Sequence, residues 1–509
     1  MAFMCPDEAS LSTESQQKLP KVTVILAVKG VGEQGLANWK SQLVSMYGGS
    51  LEFLFCVESK DDAAYAAIQA LSIELGAASN IRLVVAGLAS HCSQQIHNQM
   101  AGAKASSPDS KYILFLDDDI QLHPGSIGEL VRVMEDRPQV FVCTGYSFDI
   151  PSTPSLAAYA AVAYRLPLQI GMASGGKVFF VWGGCIFLRT EDLRSNRYGM
   201  MTALQQNGYS NDLILTSVAG QNDREVWSSD VSIFPGKMSG GWTFRRYWNY
   251  VRRQIFALLT YCSAYAYRTN RMGWVVYMYL SWALLLPLVP SLWELATWMA
   301  SMSWALVQWI DNPVTAVATA VVGRSWAAWA LTHATCPVSL ALSAANVAAA
   351  GVLTLSGYNL FLSVVSLCNK LSPGAPQIKM ENLSLVYAIG GMAVNLLMLP
   401  IIALFTYFKG DITWAGIRYV RRNGVVAKVT HPGEAEDVGE VEVRIAPGSN
   451  AGGKLVALGA EKQNGRMIGA TAQWQSGKPS LTKLFPLHVE IAWNTLPGGR
   501  GQPQQKKTG

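Results

Sequence analysis

Charge is scarce in this sequence. Of 509 residues, 15% are charged and 50% are hydrophobic, where ordinary soluble domains carry roughly 25% charged residues. The deficit is local. Between Met272 and Phe408 there are six charged residues: Glu294, Asp311, Arg324, Lys370, Lys379 and Glu381. Stretches 272–293, 337–368 and 382–408 have none. A bilayer core takes about 20 apolar residues of helix, so each is a candidate membrane span, and a wholly soluble protein is disfavoured. A fourth span is weaker: 295–310 is short, and 316–331 carries Arg324, which is costly in lipid unless paired or snorkelling. Three or four spans are expected.

Paired cysteines are missing too. None of the eight cysteines forms a C-x-x-C motif, so neither a zinc site nor a disulfide framework is indicated. The opening MAFMCPDEASLSTESQQKLPK has no apolar run; it is not a signal peptide, and targeting falls to the later spans. No repeat at solenoid spacing occurs.

The net charge of +6 does not point to nucleic acid, because the basic residues sit beside the apolar stretches. Arg245, Arg246, Arg252 and Arg253 precede the first span, and Lys409, Arg418, Arg421 and Arg422 follow the last. Such flanks face the cytoplasm under the positive-inside rule. Both flanks on one side require an even span count, which conflicts with three.

What is present before the spans is alternation. Strand-like runs at 22–28, 51–57 and 81–87 are separated by helix-like segments at 36–47, 61–76 and 94–105, then KYILFLDDD leads to a helix at 124–135. This predicts a doubly wound α/β domain with a parallel sheet. The organisation read from the chain is a polar segment 1–20, an α/β domain 21–270, spans within 271–410, a juxtamembrane segment 411–429, and a mostly disordered Gly-, Gln- and Lys-rich tail 430–509.

Four features carry chemistry. Residues 117–119 are three aspartates directly after a strand, at the edge where open α/β sheets bind ligands. One aspartate there is ordinary turn chemistry; three repel unless a cation intervenes, and oxygen ligands suit Mg or Mn shared with a phosphate. After the second strand come Glu58, Asp61 and Asp62, acceptors for a ribose hydroxyl or base N–H or, equally, helix-start residues. Asp212, in NGYSNDLILTSVAGQ, is either an N-terminal cap or a general base that takes a hydroxyl proton. RRYWNYVRRQ, ahead of the first span, offers Arg252 and Arg253 to phosphate and Trp248 to sugar or lipid, or forms a headgroup belt. Glycine pairs 175–176 and 183–184 either let backbone approach a site or simply bend.

The strings LPKVTVILAVKGVGEQGLANWKSQLVSMYGGSLEFLFCVES, SKYILFLDDDIQLHPGSIGEL, FFVWGGC, GYSND, RYWNYVRRQ and WAGIRY together resemble glycosyltransferase family 2 enzymes and, more finely, plant-type ceramide glucosyltransferases. The resemblance implies a GT-A nucleotide-sugar-binding domain followed by a transmembrane α-helical region. It implies inverting transfer of glucose from UDP-glucose to ceramide on the cytosolic face of the Golgi or endoplasmic reticulum. By position, Asp62, with Glu58, matches the nucleotide-binding acid, Asp117 and Asp119 the metal-diphosphate motif, and Asp212 the base. Three departures stand out. The Arg/Gln-x-x-Arg-Trp motif is broken: Tyr247 replaces its arginine if Trp248 is its tryptophan, and Gln254 replaces its tryptophan if Arg253 is its arginine. Gln95 stands where such enzymes have lysine. Relatives also carry an N-terminal membrane helix where this chain begins polar, so either that anchor is dispensable or the sequence begins late. The alternatives are a polyisoprenyl-phosphate glycosyltransferase, a polymerising synthase, or a non-catalytic membrane scaffold.

Overall fold

The computed structural model describes residues 19–76, 80–206, 208–311, 337–379, 383–433, 453–463 and 466–476. They fall in two compact units, Met1–Val429 and Thr430–Gly509.

In the first unit, β1 (Val22–Ala27), β2 (Leu51–Val57), β3 (Ile81–Val85) and β4 (Tyr112–Leu116) alternate with α1 (Gly35–Leu43), α2 (Ala63–Leu75) and α3 (Gln94–Ala105). Strands β1, β2 and β4 are buried along almost their whole length, as in a sheet covered on both faces, whereas the edge strand β3, which carries Arg82, is only partly buried. All five residues of β4 are buried. The four strands are parallel, ordered β3-β2-β1-β4. The chain turns back between β1 and β4, which makes their carboxyl edge the switch point at which such sheets take ligands. Trp39 of α1, fully buried, meets Phe55 edge to face at 6.0 Å; burial of each such side chain contributes roughly 1.5–3 kcal/mol.

The rest of the sheet departs from the expected parallel pattern. After α4 (Ser126–Asp136) come β5 (Val140–Pro151), α5 (Leu156–Ala173), β6 (Gly176–Val178) and β7 (Cys185–Arg189). Short helices α6 (Thr190–Arg194) and α7 (Met200–Gln205), α8 (Asn211–Gln221) and β8 (Glu225–Met238) complete the sheet in the order β4-β7-β5-β8-β6. Strand β7 runs antiparallel to both β4 and β5, and β6 antiparallel to β8. Strand β5, read from sequence as the apolar run 140–144, extends to Pro151. Its second half alternates Tyr146, Phe148 and Ile150 with Ser147 and Asp149, and these two polar residues find a partner in Arg165 of α5.

Helix α9 (Phe244–Leu258) leads to α10 (Ala264–Asp311), α11 (Pro337–Leu371) and α12 (Leu385–Lys409). Among the described residues, these last three are long and apolar enough to cross a membrane. Segment 295–310, weighed as part of a fourth span, is the uninterrupted continuation of α10, a 48-residue helix about 72 Å long at 1.5 Å per residue. The other segment weighed, 316–331, lies outside the described residues. Helix α12 crosses α5 at close range: a Cβ on Gly391 would stand 2.6 Å from the Tyr159 backbone, so only glycine permits the crossing. Tyr247 of α9 is fully buried in this seam and donates to Asn395 Oδ1 of α12 at 2.9 Å. Strands β9 (Asp411–Trp414), β10 (Ile417–Arg422) and β11 (Val425–Thr430) then form a small separate sheet.

In the second unit, within the segment read as a mostly disordered tail, β12 (Gly453–Gln463) and β13 (Arg466–Ser476) pair as an antiparallel hairpin. Composition averaged over the segment hid the signal, an Asn-Gly dipeptide at 464–465 between two β-prone runs.

Candidate active site

The triple-aspartate turn is held from below. Gln42 of α1, fully buried, donates through Nε2 to the backbone oxygens of Asp117 (2.8 Å) and Ile120 (2.9 Å). Asp117 N donates to Gly184 O at 3.0 Å. With the backbone so fixed, Asp117 and Asp118 are partly buried and Asp119 is exposed. Burial, then the charge of Asp119, pushes the Asp117 carboxyl up to about 7, and Asp212 adds to that push. Burial and its two neighbours also raise Asp118. One neutral partner is in place: Gln95 Nε2 donates to Asp117 Oδ1 at 2.8 Å, where a lysine would have brought a charge.

Asp212 adjoins the same glycine pair, at Gly183. Ser210 occupies the N-cap place of α8 without a side-chain cap bond, and Asp212 lies in the first turn. Asp212 Oδ1 accepts from Leu213 N at 2.7 Å and from the Ser210 hydroxyl. Burial raises its pKa above the usual carboxylate range despite these bonds. A Cβ on Gly183 would lie 2.6 Å from Asn211 Oδ1 and 3.5 Å from Asp212 Cγ. The bland reading of this pair as a bend is therefore incomplete: Gly183 abuts Asp212, and Gly184 bonds Asp117.

The acids after β2 are differently occupied. Glu58 is paired with Lys29 through Oε1, while its Oε2 is buried without a hydrogen-bond partner, an acceptor positioned for a donor from outside. Asp62 caps α2 through Ala64 N (2.8 Å), and the same Oδ1 accepts from Gly30 N (2.8 Å) in the loop after β1.

Helix α9 splits its nominated residues. Arg253 lies 4.8 Å over the Trp414 ring, and its charge opposes the rise in the Asp117 pKa. Trp248 meets Phe405 of α12 edge-on at 5.5 Å. Arg252 lies 5.1 Å over the same ring and donates to Asp411 O at 2.9 Å. Arg253 thus belongs with the acids, and Trp248 and Arg252 with the membrane-facing seam. An arginine at 247 would be buried among apolar side chains, which disfavours the motif register ending at Trp248.

The donor set fits a hard cation. It is all oxygen, burial and then the neighbouring charges raise Asp117 and Asp118, and Asp119 is exposed. Among the described residues, no group of three His, Cys, Asp or Glu side chains is arranged to hold an ion unaided; Mg and Mn usually keep waters and share themselves with a substrate phosphate.

A model of glycosyl transferase family 21 matches residues 3–159. That stretch contains Glu58, Asp62 and the aspartate turn; the motif resemblance had been to family 2 and to ceramide glucosyltransferases. No curated protein matches the chain. Among solved structures, a mannosyltransferase from Pyrobaculum calidifontis, in complex with GDP-Man and Mn2+, is 13% identical, with 75% of this chain and 88% of that chain covered and a TM-score of 0.36.

Three residues beside the site carried no role in the sequence, although two of them, Trp414 and Tyr419, open and close the WAGIRY string. Arg165 Nη1 donates to Asp149 Oδ1 (2.9 Å) and Ser147 Oγ (2.6 Å), and its charge reaches Asp117; the only signal was a lone arginine in an apolar helix. Trp414 lies under Arg253. Tyr419 Oη, in the WAGIRY strand, accepts from Gln94 N at 3.2 Å, next to Gln95. These last two come from beyond the membrane segment, over 290 residues from the aspartate turn, and local pattern cannot reveal their contacts with Arg253 and Gln94.

Proposed function

We propose that the protein transfers glucose from UDP-glucose to the primary hydroxyl of ceramide with inversion, giving β-glucosylceramide and UDP. We place the reaction on the cytosolic face of the endoplasmic reticulum or Golgi membrane. The observation that carries this reading is the convergence of the Asp117–Asp119 turn and Asp212 on one glycine pair, at the switch-point edge of a sheet. The family 21 match over the first part of the domain supports sugar transfer, and the apolar helices packed on α5 and α9 favour a lipid acceptor.

In this reading Glu58, through its unpartnered Oε2, and Asp62 receive donors from the nucleoside. Asp117 and Asp119 hold Mg or Mn, which when bound supplies Lewis-acid stabilisation of the departing diphosphate. Arg253 adds a fixed positive charge there. Asp212 accepts the proton of the attacking hydroxyl, and the upward shift of its pKa makes it a better base near neutral pH. Trp248 and Arg252 line the seam by which a lipid acceptor arrives.

The test is transfer by membranes holding the full chain, offered UDP-glucose with ceramide or with dolichyl phosphate. Glucosylceramide is the expected product, and Asp212→Asn lowers its formation by about 10²–10⁴-fold while UDP-glucose binding is retained. Glucose on dolichyl phosphate alone, a long insoluble polymer, or no consumption of donor defeats the proposal.

A further inference from the structure

Helix α12 qualifies as a span by length and composition, yet its neighbours place both of its ends on the side of the α/β domain. Helix α10 starts there: one residue before it, Ser263 Oγ accepts from Gln221 Nε2 of α8 at 2.6 Å. Helix α11 runs antiparallel to α10, since the Glu294 carboxylate accepts from Ser339 (2.6 Å) and Ser343, and Ser291 Oγ accepts from Asn346 Nδ2 at 3.2 Å. It ends back at the sheet, where Cys368 Sγ contacts Ile233 O at 3.8 Å and the Ser372 hydroxyl lies 2.7 Å from His123 Nδ1. Helices α10 and α11 therefore leave the sheet and return to it.

The register of that pair measures how deep α12 goes. At the start of α12, Tyr358 of α11 donates to Leu383 O at 2.8 Å, and Ser384 N donates to Tyr159 Oη of α5 at 2.8 Å. At its end, the Tyr407 ring lies 6.1 Å from that of Trp274 and 5.0 Å under the Arg271 guanidinium, both on α10. The hydrogen bonds between α10 and α11 set Tyr358 level with about residue 278 of α10, so the two ends of α12 differ by roughly 6–10 Å along that axis, at 1.5 Å per residue. The 25 residues of α12 are about 37 Å long, and a helix that crosses must separate its ends by the ~30 Å of a bilayer core. Helix α12 lies across the pair, not along it.

One face of α12 packs on α5 and α9. The other carries a helical stripe of exposed apolar residues, Val386, Ile389, Leu397, Ile401, Leu404 and Phe408, as bare at its first turn (Val386, 77%) as at its last (Phe408, 80%). We infer that α12 does not cross the bilayer but lies along its surface, with this stripe set among the lipid chains of the leaflet that faces the α/β domain, and that α10 and α11 alone cross. Lipid is the occupant because α12 ends beside Trp274, which stands at the opening of the charge-free stretch 272–293, where α10 enters the membrane; an interfacial helix buries its apolar face about 5–10 Å deep at that boundary. Two crossings also meet the even count that the basic flanks before α10 and after α12 require. The inference goes beyond the proposed function and does not depend on the donor or acceptor.

The test is made on the full chain in sealed vesicles. Gly374→Cys, before α12, and Arg422→Cys, after it, are expected to react with a membrane-impermeant maleimide from the same side, and Asp311→Cys, at the far end of α10, from the other. All three positions are exposed, and mass spectrometry of the labelled peptides separates them from the native cysteines. Nitroxides at Ile389→Cys, Leu397→Cys and Leu404→Cys are expected at depths within about 10 Å of one another, where a crossing helix spreads them over about 22 Å at 1.5 Å per residue. All three are expected to collide with oxygen dissolved in the bilayer. Labelling of positions 374 and 422 from opposite sides overturns the inference, as does a depth spread near 22 Å. Shielding of the three nitroxides from bilayer oxygen also overturns it, because a second protein then covers the stripe.

Discussion

The loops after β2 and β4 look alike in sequence, each a buried strand ending in a run of acids. They are used differently. After β2, Glu58 is paired with Lys29, Asp61 takes the Ser59 hydroxyl at 3.1 Å, and Asp62 is committed to two backbone amides. After β4, the backbone is pinned by Gln42 and Gly184, yet Asp117 has only the neutral Gln95 amide and its pKa is raised rather than lowered. After β2 the fold supplies donors to most of the carboxylate oxygens; after β4 it supplies backbone support, while the charges of Arg253 and Arg165 only partly offset the burial that raises Asp117.

The sharpest way to break this contrast is Asp117→Asn. If the turn holds a cation against a leaving diphosphate, the loss of several kcal/mol of charge stabilisation predicts a fall in transfer of about 10³-fold, at roughly 1.4 kcal/mol per decade. The same change should make the metal-free protein more stable at pH 7. The sign follows from linkage: a carboxyl with a folded value near 7 against an ordinary 3.8 disfavours the folded state wherever it must ionise, so stability is lost as pH rises from 4 to 7. Asparagine removes that dependence. A lower melting temperature for Asp117→Asn in chelator at pH 7 contradicts the reading.

The pH profile comes next in size. Asp212 must be ionised to act as base, and its pKa is raised by burial. Activity therefore falls about tenfold per pH unit below that raised value, an acid limb displaced upward from the ordinary carboxylate range. Asp212→Glu should move the limb, and an unchanged limb in a variant that still turns over would assign it to another group.

Gln95→Leu is a smaller perturbation. It removes a hydrogen bond to a carboxylate worth roughly 1.5–3 kcal/mol, so kcat/KM for the donor should drop about tenfold or more. Gln95→Lys should restore it and lower the acid limb, because an ammonium favours ionised Asp117 and Asp212. Equal rates in all three proteins would make Gln95 a bystander.

How far the sequence revealed these differences depended on whether the deciding partner was local. Strands β1, β2 and β4 were legible because burial leaves nearly continuous apolar runs, and α3 spans 94–105 as its pattern indicated. Asp117, Asp119 and Asp212 drew notice in the sequence because charges at element ends are conspicuous in a chain with few, and the structure sets the aspartate turn and Asp212 beside one glycine pair. The length of β5 was not, because Ser147 and Asp149 interrupt its apolar pattern and only the distant Arg165 explains them. The two faces of α9 were not either: Trp248, Arg252 and Arg253 are near neighbours in sequence, and α12, β9 and the aspartate turn divide them.

The smallest expected effect tests the other half of the contrast. Asp62→Ala removes the cap of α2 and the tie to Gly30, at a cost of about 1 kcal/mol, and should lower the melting temperature while raising the donor KM. These effects separate with Asp62→Ser, since serine caps a helix as well as aspartate but carries no charge and reaches less far. Stability should return while the donor KM stays raised, if Asp62 also meets the nucleoside. If both return together, Asp62 serves the fold alone, and donor recognition at this edge passes to Glu58 Oε2, the acceptor here that the fold leaves unbonded.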